Sequence, residues 1–234
     1  MTCIYENVFP ETDRFLAISL HSLSSIELPI HLFGQYLIHY KTPGTMSSVK
    51  WIIFQLHAVC AVFDVFCTLM FSLFFWIPSP GGYPVGLLSY FKVNVIVQLY
   101  AGCNLLIAVG FSCLVFFENR YDVIVIGTMN RSGHRTIKRL IYFFLNFAYF
   151  SAALVYIFLH FPDQNQGRIH IKVLWPCIPN EWIDNPNFFI MNTTRHDVIA
   201  LTMSVITLII VQCAYFIFRT IYRLFYSVGN VSKA

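Results

Sequence analysis

The sequence predicts an all-α fold: a polytopic bundle of five helices, each long enough to cross a lipid bilayer. Three observations carry that prediction. Of 234 residues, 57% are hydrophobic and only 11% are charged, with a mean hydropathy of +0.65. A soluble domain carries about 25% charged residues, so this chain has too little charge to cover a water-facing surface. The apolar residues gather in five long runs, roughly 16–38, 51–76, 93–117, 139–159 and 198–218. A span needs roughly 20 apolar residues at about 1.5 Å of rise each, and every run meets that length. The basic residues, finally, fall unevenly on the two sides that those runs define. The whole chain, 1–234, is then one membrane domain whose first partner is the lipid bilayer.

The first run is the most polar, with His21, Glu27, Pro29 and His31, so an amphipathic surface helix competes with a span there. Pro29 is expected to kink or weaken that helix. Lys41-Thr42-Pro43-Gly44 marks the turn that follows. The second run ends before Pro78-Ser79-Pro80-Gly81-Gly82, which cannot continue a helix. The third run closes on Phe116-Phe117-Glu118-Asn119-Arg120-Tyr121, and residues 118–138 are polar and basic. The fourth leads into the one long loop, 160–197, which carries Pro162, Pro176, Pro179 and Pro186. The fifth, 198–218, is followed by Arg219 and Arg223.

Counting Lys and Arg on alternate sides sets the orientation. Lys41, Lys50, Arg120, Arg131, Arg135, Lys138, Arg139, Arg219, Arg223 and Lys233 share one side. Arg14, Lys92, Arg168, Lys172 and Arg195 share the other, together with seven of the eleven acidic residues. The first side is therefore cytoplasmic, with the N-terminus outside and the C-terminus inside. The N-terminal residues lack the basic region of a cleavable signal peptide, so the first run is expected to be the targeting segment. Basic residues divided among short loops exclude a nucleic-acid surface.

Five of the seven cysteines, Cys60, Cys67, Cys103, Cys113 and Cys213, lie within runs and read as small packing residues. Cys3 and Cys177 fall outside the membrane on the oxidising side, which predicts one disulfide between the N-terminal tail and the long loop. Of three N-x-S/T sequons, only Asn192-Thr193-Thr194 lies on the outer side, making Asn192 the glycosylation candidate.

Charges within spans are costly, about 2.5 to 3.5 kcal/mol on insertion scales, so Glu27 and Asp64 need a reason. Each sits near the centre of its run, as Asn104 does in the third. His57 and Asp64 are seven residues apart and share a helix face. Glu27, His57, Asp64 and Asn104 are therefore the candidate interior polar or ligand site, with Asp64 reaching Asn104. Interhelical hydrogen bonding explains the same residues without any ligand. Enzyme readings find no footing: H-E-x-x-H, G-x-S-x-G and a P-loop lysine are all missing from the sequence. No metal or organic cofactor is indicated. A small transporter stays a remote alternative, since the runs show no paired halves.

Several ordered motifs resemble the nematode serpentine receptor class H chemoreceptors. They are Glu27-Leu28-Pro29-Ile30-His31 with Gly34, then Lys41-Thr42-Pro43 with Val49-Lys50-Trp51, then Leu56-His57 with Asp64. Further on come Gly82-Tyr83-Pro84-Val85-Gly86-Leu87-Leu88-Ser89-Tyr90, Phe116-Phe117-Glu118-Asn119-Arg120-Tyr121, Ile137-Lys138-Arg139 and Pro176-Cys177. The resemblance implies five helices of a rhodopsin-like seven-helix fold. It implies a G-protein-coupled receptor for small environmental chemicals in sensory neuron membranes. Glu118, Arg120 and Tyr121 would face a heterotrimeric G protein, and an unknown small molecule would be the ligand. The family has seven spans and the sequence stops at Ala234, so the expectation is a bundle lacking its last two helices. Two readings of that departure stay open: a ligand-sensing receptor that does not signal unaided, or a non-signalling protein that associates with full-length relatives as a receptor oligomer.

Overall fold

The computed structural model describes residues 12–76, 81–126, 133–190 and 196–231. Five helices dominate: α1 (Asp13–Tyr36), α2 (Ser47–Val65), α4 (Val95–Tyr121), α5 (Gly133–Leu159) and α8 (His196–Val231). Thr12 starts α1, its hydroxyl accepting from the Phe15 N–H, and Asn94 starts α4 by accepting from the Ile96 N–H. Helix α1 runs through Pro29 without interruption. Three of the helices end in a wider π-helical turn, at Leu37–Lys41, Phe66–Phe71 and Asp122–Ile126. All five segments are long and apolar enough to cross a membrane. Helix α4 sits at the middle of the bundle, packed along α2 on one side and along α8 and α5 on the other.

Several boundaries differ from the sequence expectation: α5 begins at Gly133 rather than 139, α8 runs on past 218 to Val231, and the largest change of type is in the second run. The second run does not stay helical to residue 76. It leaves the helical path at Ser72, whose φ of 32° is left-handed, and Leu73–Trp76 becomes a strand, β1. A four-residue aromatic run reads equally well as the end of a helix or as a buried strand by hydropathy alone. The partner decides: β2 (Gly81–Pro84) pairs antiparallel with β1, bringing Phe74 opposite Tyr83 and Phe75 opposite Gly82. Gly82 is needed there, because a Cβ at that position would lie 2.3 Å from the Phe74 carbonyl oxygen. A short strand, β3 (Phe189–Ile190), completes a three-stranded sheet.

The long loop also proves to be structured. Between its prolines it forms α6 (Gln164–Leu174) and α7 (Asn180–Ile183), while α3 (Leu87–Tyr90) precedes α4. Asp163 caps α6 through the Asn165 N–H. Tyr83, Ile171, Ile178, Ile183, Phe188 and Ile190 pack into a core of their own. Gln164 accepts from the Ile190 N–H at 2.8 Å and Arg168 donates to the Phe188 carbonyl at 2.7 Å, which locks α6 to β3. The result is a cap over one end of the bundle. Tyr83 ties it to α1 by donating to Asp13 at 3.0 Å.

Candidate functional site

The expected polar site divides. Gly34 lets α1 and α2 approach closely, since a Cβ there would lie 2.9 Å from His57 Nε2. That approach lets His57 donate from Nε2 to the His31 carbonyl at 3.1 Å. His31 Nε2 in turn meets Asp64 at 3.3 Å. The Thr68 hydroxyl lies 2.8 Å from the Asp64 carbonyl and 3.3 Å from Glu27. Glu27, His57 and Asp64 are thus gathered along one α1–α2 seam, with His31 and Thr68 as their partners. Asp64 remains 44% exposed at its side chain, so it borders the bundle rather than filling its interior. Asn104 is not part of this group. It donates to the Tyr100 carbonyl of its own helix at 2.8 Å, the local bond that a solitary amide on a helix takes most easily. Among the described residues no hydrogen bond joins it to Asp64.

At the end of α4 away from the cap, Glu118 and Asp122 lie one helical turn apart, and Arg135 and Arg139 lie one turn apart on α5. Arg139 bridges both acids, at 2.6 Å to Glu118 and 3.1 Å to Asp122, and Arg135 holds Asp122 as well. Both carboxylates are buried. Glu118 therefore pins α4 to α5 instead of presenting a free charge. Arg120 lies over the Phe116 ring, and Tyr121 packs against Tyr215 and Phe216 of α8. The i, i+4 acids opposite i, i+4 arginines were the sequence signal for this cluster, and the candidate residues included only Glu118 of its four members.

Helices α5 and α8 are stitched at three heights. Tyr142 donates to Gln212 at 2.5 Å, and Gln212 donates on to Asn146 at 2.9 Å. Tyr149 and Ser204 share a bond of 2.7 Å, and Tyr156 donates to Asp197 at 2.8 Å. On the neighbouring stripe of both helices, facing α4, lies a cavity of about 380 Å³. Its floor is where α4 and α8 touch: a Cβ on Gly110 would meet Ile209 at 3.0 Å. Its upper wall is Leu99, Phe158 and Phe161, which pack with the fully buried Phe189 of the cap. Nothing in the sequence motifs pointed to it, because a cavity is a divergence of helices and its lining is ordinary membrane-span composition.

Cys177, in the cap, is disulfide-bonded, and Cys60, Cys67, Cys103, Cys113 and Cys213 are free. Cys3 and Asn192 lie outside the described residues. Among the described residues no cluster of His, Cys, Asp or Glu has the makings of a metal site.

Comparison with known proteins agrees with the architecture. The family model for the serpentine-type 7TM GPCR chemoreceptor Srh matches residues 11–234. Serpentine receptor class H-72 of Caenorhabditis elegans is 25% identical over 232 residues, covering 95% of this chain and 66% of the relative. The chain thus spans just under two thirds of that relative's length. No solved structure matches the chain.

Proposed function

The chain belongs to the Srh family of serpentine-type chemoreceptors, multi-pass membrane proteins, and from that premise we propose that it detects a small environmental molecule inside its bundle. One observation carries the reading. Helices α4, α5 and α8 frame a cavity beside the cap, and α4 and α5 carry a buried ion cluster at their other end. Cys103 and Glu118 on α4 are separated by fifteen residues, or about 22 Å of helix. A molecule that changes the spacing of the three helices at the cavity would shift their far ends, where a heterotrimeric G protein would engage. We place the cap outside the cell and the ion cluster in the cytoplasm, as the excess of Lys and Arg on the cluster side favours.

The test joins residues 1–234 to the last two helices of the class H-72 relative and reads G-protein activation in cells during a small-molecule screen. A response is expected, and Ala153→Phe, which fills the cavity, should abolish it while surface expression is retained. A response untouched by cavity filling would overturn the site. Residues 1–234 expressed alone are expected to bind without coupling, because the family fold uses seven helices. Terminal tags probed in intact cells check the orientation, and an accessible tag after Ala234 would reverse it.

A further inference from the structure

We propose that the α4–α5–α8 cavity takes a neutral, mostly apolar molecule bearing one hydroxyl donor, an alcohol or a phenol. This rests on reading the cavity as the ligand site and adds its chemistry. Size comes first. A cavity of ~150 Å³ holds benzene, so about 380 Å³ accommodates a molecule on the order of 15 non-hydrogen atoms. Charge comes second. Among the described residues no Asp, Glu, Lys or Arg lines the space, so a carboxylate or ammonium would be buried unpaired.

The hydrogen-bonding groups then discriminate among neutral molecules. Apart from the weakly polar Cys103 thiol, the polar side chains of the lining are Thr202 and His160. Thr202 spends its one proton on the Val198 carbonyl at 2.9 Å, leaving only lone pairs for a ligand. His160 places Nδ1 2.9 Å from the Tyr156 carbonyl. A carbonyl can only accept, so Nδ1 carries the hydrogen, and in a neutral imidazole with that tautomer Nε2 is an acceptor. Along the α4 and α5 walls, which lie inside their helices, the backbone has no donor to spare. A ketone, ether or ester therefore meets no strong side-chain donor in this cavity, whereas a hydroxyl meets two side-chain acceptors.

The shape fits a bound molecule rather than a lipid-facing crease. Phe150, Ala153 and Leu154 are buried at the base, the Gly110–Ile209 contact closes the floor, and Phe189 backs the upper wall. The exposed edge carries Leu106, Ile199, Thr202, Met203 and Ile206, apolar apart from the Thr202 hydroxyl, so an uncharged molecule passes it without penalty.

The thiol of Cys103 reports occupancy. Residues 1–234 are purified in phosphatidylcholine nanodiscs and in detergent, and N-ethylmaleimide modification of Cys103 is followed by peptide mass spectrometry. Cys60, which does not line the cavity, is the internal reference. Decan-1-ol, decan-2-one, decanoate and decylammonium are compared. Decan-1-ol should protect Cys103 at a concentration about fivefold lower than decan-2-one, as one net hydrogen bond allows. The two ions should protect least, and Thr202→Val with His160→Phe should erase the preference for the alcohol. Equal protection by alcohol and ketone would overturn the donor requirement and leave the cavity as the ligand site. Modification that is slow in nanodiscs, fast in detergent and indifferent to every compound would assign the space to a lipid acyl chain, overturning the proposal. Met203→Trp narrows the exposed edge without touching the base. If it slows Cys103 modification while no compound protects, the cavity is reachable but is not a ligand site, and the reading of function falls with it. If Met203→Trp leaves the rate unchanged and no compound protects, Cys103 is not reached through the cavity, and both fall.

Discussion

Two regions of this bundle treat polarity in opposite ways. The α1–α2 seam holds two carboxylates and two imidazoles, and each of them finds a partner on the facing helix or its backbone. The α4–α5–α8 cavity holds almost no polar atoms, and those it holds keep lone pairs unspent. Charges in a membrane are conspicuous because they are costly, which draws attention to the seam. Once paired, however, such groups have less left to offer a ligand, although His31 Nδ1 stays buried without a hydrogen-bond partner. A cavity can offer both space and unspent acceptors. On the proposed reading the seam serves cohesion and the cavity serves ligand binding, and substitution can break either half of that reading.

The largest expected loss belongs to the same principle of paired charge, at the α4–α5 ion cluster. Arg139→Ala should destabilise the bundle by ~3 kcal/mol, because it leaves Glu118 with no cation and Asp122 with Arg135 alone. Both acids are only 7–8% exposed at their side chains, so water cannot replace the guanidinium. Arg139→Lys should recover only part of the loss, since an ammonium is a point charge and does not span two carboxylates as the guanidinium fork does. Unfolding in mixed micelles titrated with dodecyl sulfate measures both. A loss below ~1 kcal/mol for Arg139→Ala would mean that the cluster does not hold the helices together.

Much of this architecture was legible in advance. The five spans announced themselves by hydropathy, and their observed starts and stops differ from the apolar runs mostly by one turn or two. The α1–α2 seam was half legible: Glu27, His57 and Asp64 stood out as intramembrane polar groups, but their partners did not. Asn104 looked equivalent to them by depth, yet its bond to Tyr100 is local and needs no second helix. The cap escaped notice because Leu73-Phe74-Phe75-Trp76 extends an apolar run without a break, and only pairing with Gly81–Pro84 makes it a strand. The cavity left no trace at all. It depends on α4 and α8 meeting at Gly110 and then separating, which is a property of helix axes rather than of composition.

A second substitution sharpens the seam itself. Gly34→Val places a branched side chain where the His57 ring sits, with even the Cβ only 2.9 Å from Nε2. His57 must then leave the His31 carbonyl, and the helices must separate slightly. Overpacking of this kind costs about 1–3 kcal/mol, and the lower half of that range is expected because an imidazole can swing aside. The cost should shrink in the double variant Gly34→Val with His57→Ala, which makes the space. Unchanged cost in the double variant would locate the strain elsewhere than on His57.

The smallest effect is the most informative about the comparison. Asp64→Asn keeps the shape of the side chain and an oxygen that still accepts from His31 Nε2, the group now 3.3 Å away. Because the side chain is 44% exposed within a membrane span, the lost pairing with His31 and the relieved cost of an embedded charge oppose each other, and stability should change by less than ~1 kcal/mol. It should also leave the ligand response of the seven-helix chimera unaltered, because nothing on the seam lines the cavity. Thr202→Val provides the opposite pattern: the same small change in stability, with weaker discrimination between alcohol and ketone because only the His160 acceptor is left. If Asp64→Asn instead abolishes the response while unfolding is unchanged, the seam senses the ligand, and the division of labour between the two regions fails.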